Sequence, residues 1–148
     1  MARYAIIDAE GNERGIKMRY NYNIEYNAKI FEKGINQVYL FKFYDDDGNL
    51  IFSKVGTTTR TIEIRIKEEI RQYTKDGFTI GRAAVESVFD CGDMPPEYYE
   101  NYIKSRYIAK SRESYRVNDR FIKYDISVKE FNKIFRYAKT FAKKWADK

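Results

Sequence analysis

The chain has 148 residues, with 28 Lys plus Arg against 22 Asp plus Glu for a formal net charge of +6, one Cys, two Pro and no His. That length suits one compact domain, 1–148, able to bury roughly 68–70% of its unfolded surface. The composition excludes Ser-His-Asp and Cys-His hydrolases, His-ligated metal sites, Cys-rich zinc frameworks and internal disulfides, so any acid–base chemistry must come from Glu, Asp, Lys or Tyr.

In chain order, Ile16 to Ile24 alternates apolar Ile16, Met18, Tyr20, Tyr22 and Ile24 with polar residues, the period-2 pattern of a half-buried peripheral strand within an N-terminal extension, 1–36. Gln37 to Tyr44 and Asn49 to Val55 are rich in aromatic and β-branched residues. The Asp45-Asp46-Asp47-Gly48-Asn49 stretch between them contains Asp-Gly, a hairpin signal, with the three acids read as solvated turn residues. Thr57-Thr58-Thr59 offers N-cap hydroxyls to a helix over 60–74, whose Ile62, Ile66, Ile70 and Tyr73 recur at helical spacing before Asp76-Gly77. Ala83 to Phe89 reads as a third strand, and Pro95-Pro96 opens a helix through Tyr99, Ile103 and Tyr107. Ser127 and Glu130 form a capping-box pattern ahead of Phe131, Ile134, Phe135, Ala138, Phe141, Ala142 and Trp145, an amphipathic C-terminal helix within 122–148. The expected architecture is α+β, a small, mainly antiparallel three-stranded sheet flanked by helices.

The positive charge is unevenly spread. Residues 127–148 carry seven basic and two acidic side chains, and Lys104 to Lys123 contains seven basic residues against Glu113 and Asp119. Clustered cations of this kind suit a polyanion held at one end of the molecule. No uncharged run approaches the ~18 residues of a membrane span, and the Met-Ala-Arg-Tyr start has no apolar signal core. A protein without membrane partners, cytoplasmic or nucleoid-associated in a reducing compartment, is therefore expected.

Without histidine, an arginine, a carboxylate and a Tyr or Lys are the residue types that suffice for metal-assisted phosphodiester cleavage. Tyr39 lies in the first hairpin strand, Lys54-Val55-Gly56 closes the second, Arg65 lies on the next helix, and Glu100 lies on the helix after the third strand. If Asp47-Gly48 is a two-residue turn, residues whose numbers sum to 95 are paired, which sets Tyr39 opposite Gly56 and diagonal to Lys54 on one face. Arg65, three residues from Ile62 and four from Glu69, borders the buried stripe. Glu100, three residues before Ile103, lies along its helix's apolar face and needs a cation, either Arg65 or a bound metal.

In order and spacing, these residues resemble the GIY-YIG nuclease superfamily over roughly Gln37 to Phe121. Gln37-Val38-Tyr39 stands where that family has Gly-Ile-Tyr. Lys54-Val55-Gly56 stands for Tyr-Ile-Gly, as in branches with Lys-Ile-Gly, and Glu69 occupies the place where many members have His. The resemblance implies a metal-dependent endonuclease hydrolysing phosphodiester bonds, in DNA more than RNA. Glu100 would hold Mg²⁺ or Mn²⁺, Arg65 would stabilise phosphoryl charge, Tyr39 and Lys54 would help deprotonate the attacking water, and Gly56 would let backbone approach closely. Asn118 resembles a polar residue that often follows the glutamate helix. Arg60, Lys104, Arg106, Lys110, Arg112, Arg116, Arg120, Lys139, Lys143 and Lys144, with Tyr115, are the expected nucleic-acid contacts. Two rival readings remain: an inactive module of the same fold that binds nucleic acid or protein, and an unrelated α+β interaction protein in which Ile16 to Ile24 pairs across a homodimer edge.

Overall fold

A computed structural model describes residues 22–107, 116–117, 120–122 and 124–146. The strand expected over Ile16 to Ile24 thus falls largely outside the described residues, as do Lys110, Arg112, Tyr115 and Asn118. The chain is α+β. Its strands are β1 (Asn23–Tyr26), β2 (Gln37–Tyr44), β3 (Leu50–Thr58), β4 (Arg82–Asp90), β5 (Arg116–Val117) and β6 (Arg120–Ile122), and its helices are α1 (Ile62–Lys75), α2 (Pro96–Tyr107) and α3 (Val128–Ala146). The sheet is larger than the three strands expected. Its order is β1-β4-β2-β3-β6-β5, with β1 parallel to β4 and the other neighbours antiparallel. The three expected strands form its centre. The added strands lie at the edges: β1 takes in Asn23 and Ile24, the described end of the peripheral strand expected over Ile16 to Ile24, whereas β5 and β6, two and three residues long, carry too little periodicity to be read in sequence.

The β2–β3 register pairs residues summing to 95 from Gln37↔Thr58 to Phe43↔Phe52, then shifts at Tyr44↔Leu50. The turn is one residue longer than a two-residue Asp-Gly turn: Asp45 N–H donates to the Asn49 carbonyl and Gly48 N–H to the Asp45 carbonyl, with Gly48 at φ 84°. Asp45 Oδ1 accepts from the Asp47 and Asn49 amides, so this acid has a structural role in the turn. The bulge that follows absorbs the extra residue and restores the side-chain parity.

Alternation along β2 then builds two cores, one on each face of the sheet. Val38 and Leu40, with Val55 of β3, pack against Tyr99, Ile103 and Tyr107 of α2 and Phe131, Phe135 and Ala138 of α3. Tyr39, Phe41 and Phe43, with Phe52, pack against Ile62, Ile66, Ile70 and Tyr73 of α1. Each fully buried isoleucine of α1 contributes about 1.5–3 kcal/mol. The N-cap of α1 is Thr61, whose side chain accepts from the Ile64 amide, rather than the Thr57–Thr59 run. That run is drawn into β3 through Thr58, because Thr57 and Thr58 still find ladder partners in Val38 and Gln37. The expected α3 cap is present as the Glu130 amide donating to Ser127 Oγ at 3.2 Å. Ser53 Oγ donates to the Tyr124 carbonyl at 2.7 Å and accepts from the Ile126 amide, which ties the approach to α3 onto β3. No helix among the described residues is long and apolar enough to cross a membrane.

Candidate functional site

Tyr39 is fully buried and stands opposite Gly56 in the β2–β3 ladder. A β-carbon at Gly56 would lie 2.5 Å from Tyr39 Cζ and overlap its hydroxyl, so the absence of a side chain at 56 is what admits the phenol. The ring stacks on Phe41 with centroids 3.9 Å apart, which leaves the hydroxyl aimed at α1. There it donates to Glu69 Oε1 at 2.7 Å and accepts from Arg65 Nε at 3.1 Å. Arg65 Nη2 also lies 3.6 Å from Glu69 Oε1, closing a three-residue cluster in which two partners come from one helix turn.

Glu69 is buried, at 4% exposure, within the apolar stripe of α1, three residues after Ile66 and one before Ile70. Burial pushes its pKa up, while Lys54, the Tyr39 hydroxyl and Arg65 pull it back. Among the described residues, Glu69 Oε2 has no hydrogen-bond partner. Tyr39 is raised well above the ordinary phenol, first by burial and then by the Glu69 charge, so its proton is firmly held. A pocket of about 220 Å³ opens over this cluster, lined by Lys54, Arg65, Glu68, Glu69, Gln72 and Tyr73. Tyr39 forms its floor support rather than its lining.

The pocket thus brings together Lys54, Arg65 and, through its supporting hydroxyl, Tyr39, with Gly56 making the room. Glu100 is not among its lining residues. Its helix packs on the opposite sheet face, against the Val38, Leu40 and Val55 side, and its carboxylate pairs with Lys104 Nζ one turn on. The cation that Glu100 was expected to find in Arg65 or a metal is therefore Lys104. The same pairing removes Lys104 from the expected nucleic-acid contacts, since it is buried, at 3% exposure, because its long side chain folds back along the helix to reach Glu100. Arg60 is exposed and bound to Glu68 at the pocket rim at 2.6 Å. Arg106, Lys139 and Lys143 are exposed on α2 and α3. Backbone pairing places Arg120 of β6 opposite Lys54 and Arg116 opposite Phe121.

Glu69 is the main residue that the expected site set lacked. Its signal was present in the sequence: a carboxylate inside a helical apolar stripe, four residues after an arginine. Among the described residues, no group of three or more His, Cys, Asp or Glu side chains is placed to hold a metal ion. Comparison with known proteins finds no matching family model, no similar curated protein and no similar solved structure.

Proposed function

We propose that this chain is an endonuclease of GIY-YIG type that hydrolyses phosphodiester bonds in DNA at the pocket over Tyr39, Arg65 and Glu69. The observation that carries the reading is the shared hydrogen bonding of one buried tyrosine hydroxyl with an arginine and a carboxylate, beside a lysine, at the positions where the resemblance puts its site. Such a cluster is costly to bury, and a phosphate ester offers it compensation. Arg65, half-exposed at the pocket mouth, presents its guanidinium to the phosphoryl oxygens and stabilises charge that grows as the attacking oxygen bonds to phosphorus. Lys54, whose charge lowers the Glu69 pKa, acts as a second cation on the phosphate rather than as a base.

The proton acceptor is then Glu69. A carboxylate whose pKa is raised by burial is a stronger base than an exposed one and still ionised above that pKa. The water oxygen forms the new bond to phosphorus, its proton passes to Glu69, and the leaving sugar oxygen keeps the electron pair of the broken bond until it is protonated from solvent. Tyr39 is a positioning residue: its hydroxyl fixes the carboxylate and the guanidinium relative to each other.

The resemblance also implies Mg²⁺ or Mn²⁺ at Glu100. In this arrangement the residues do not fit the ion, because Lys104 engages that carboxylate and α2 lies across the sheet from the pocket.

A second reading has one observation in its favour. The same pocket, with the metal carboxylate turned away, suits an inactive module that grips a phosphate without cleaving it. Plasmid nicking, assayed with Mg²⁺, with Mn²⁺ and with chelator, decides between the two. Under the nuclease reading Arg65→Ala lowers nicking by about 10²–10³-fold, the cost of removing one oriented donor. Nicking by Arg65→Ala at the rate of the unmodified protein overturns the assignment, and DNA binding with no nicking under any condition supports the inactive module.

A further inference from the structure

Away from this pocket, a second cavity of about 430 Å³ lies between α2 and α3, lined by Tyr102, Arg106, Glu130, Lys133, Ile134 and Tyr137. The two helices that wall it are tied to each other and to β4. Tyr98 donates its hydroxyl proton to the Ala138 carbonyl at 3.1 Å, and Phe135 stacks on Phe89 with centroids 4.1 Å apart and on Tyr99 at 4.7 Å. The groove is therefore preformed, so a ligand entering it loses little to ordering the protein.

Two kinds of group meet there. The aromatic ones are unusually open to solvent for their size: Tyr137 is 58% exposed, and its ring leans on that of Phe141, 44% exposed, at 5.8 Å one turn along α3. The cationic ones flank them. Arg106 lies over the Tyr102 ring at 4.7 Å and donates from Nη2 to its hydroxyl at 2.7 Å, which fixes the guanidinium at the groove wall. Lys133 lines the opposite wall, one helical turn before Tyr137 on α3. The one acidic side chain in the lining is Glu130, in the first turn of α3.

We propose that this groove binds single-stranded nucleic acid, with bases stacked on Tyr137 and Phe141 and the backbone phosphates on Arg106 and Lys133. The inference rests on the reading of the protein as one that acts on DNA, and it names the form of the substrate that the protein holds away from its cleavage pocket. Charge complementarity selects the polyanion. Exposed rings beside cations select the unpaired form, because a base can stack on a side chain only when its own face is uncovered, whereas duplex DNA offers the protein phosphates and base edges.

The test measures fluorescence anisotropy of labelled oligo-dT and of a duplex of equal length, at two salt concentrations, together with nicking activity. The variants are Tyr137→Ala/Phe141→Ala, Arg106→Ala/Lys133→Ala, and Arg65→Ala as a control at the other pocket. Since Tyr137 and Phe141 are solvent-exposed, their loss leaves the core intact, and unchanged thermal melting verifies this. The expected result is tighter binding of oligo-dT than of duplex, and a loss of about tenfold or more on oligo-dT when both rings are removed, with little change on the duplex. The double charge variant flattens the salt dependence on oligo-dT, each lost phosphate contact removing about 0.7 from the log–log slope. Unchanged oligo-dT affinity in the ring variant, a preference for duplex, or no binding of either probe overturns the inference. Ring-dependent oligo-dT binding without nicking leaves this inference standing while the nuclease reading falls. Nicking without ring dependence does the reverse.

Discussion

Tyr39 and Gly56 occupy one rung of the β2–β3 ladder, and the phenol fills the space that any β-carbon at 56 would claim. The glycine thereby sets where the hydroxyl lies, and the hydroxyl sets where Arg65 and Glu69 meet. Substituting Gly56→Ala forces the buried ring off its stack with Phe41, an overpacking that costs about 1–3 kcal/mol. A chain of this size then melts roughly 2–4 °C lower per kcal/mol, readable by circular dichroism.

Removing the hydroxyl alone separates position from volume. Tyr39→Phe keeps the ring but takes a donor from the buried Glu69 and an acceptor from Arg65, at a cost of about 1–3 kcal/mol in stability. Nicking should fall with it, while oligonucleotide binding at the α2–α3 groove persists. Equal activity and equal melting in Tyr39→Phe would contradict the role given to this hydrogen-bond pair.

The raised pKa of Glu69 makes a signed prediction about pH. Its folded-state value lies above the ordinary 4.5, so the folded protein holds the proton more tightly than the unfolded chain does between those two values. The stability that this contributes is fully present below 4.5 and is lost as pH rises through the folded pKa. Glu69→Gln cannot ionise, so its melting temperature relative to the unmodified protein should climb as pH is raised from acid to neutral. Activity runs the other way: the unmodified protein loses nicking on acidification through the raised pKa, and Glu69→Gln is inactive throughout. Because the Tyr39 hydrogen bond lowers this pKa, Tyr39→Phe should move the acid limb of the activity profile to higher pH.

Glu100 and Lys104 form a partner pair on the inner side of α2, with side chains 16% and 4% exposed. Glu100→Ala removes the carboxylate from a buried ammonium and should destabilise the protein by about 2–3 kcal/mol, at or below the low end for fully buried pairs. Glu100→Leu/Lys104→Met replaces both charges with apolar groups and should recover most of that loss. If the pair is structural, the double variant also recovers nicking. Nicking absent from a well-folded double variant would mean that Glu100 takes part in the chemistry.

The aromatic contacts between α2, α3 and β4 place the second groove. Phe135→Ala removes the ring shared by Phe89 and Tyr99 and should cost about 3–5 kcal/mol. Since the groove depends on these helices staying fixed, oligo-dT binding should weaken at temperatures near the lowered melting point, a loss that heating the unmodified protein reproduces only at its own higher midpoint.

The central elements were legible because their signals are local. Aromatic and β-branched runs on either side of an Asp-Gly turn defined β2 and β3, isoleucines at i, i+4 and i+8 defined α1, and Ser127 marked the start of α3. Tyr39 facing Gly56 was legible too, although by a turn one residue longer than expected whose extra residue a bulge then absorbed. Arg65 at the border of its stripe followed from helical spacing alone. The parallel pairing of β1 and the short β6 and β5 extension did not, because an edge strand a few residues long takes its place from the neighbour that hydrogen-bonds to it.

What the amino-acid order determined by itself was which side chains share a face of one element: Lys54 with Gly56, Arg65 with Glu69, Glu100 with Ile103. Which face of the sheet each helix covers was decided only by the tertiary structure, because that choice depends on how the connections cross the sheet and on which apolar stripe finds its complement there. That choice put Arg65 and Glu69 over Tyr39, and turned Glu100 to the opposite side and to Lys104.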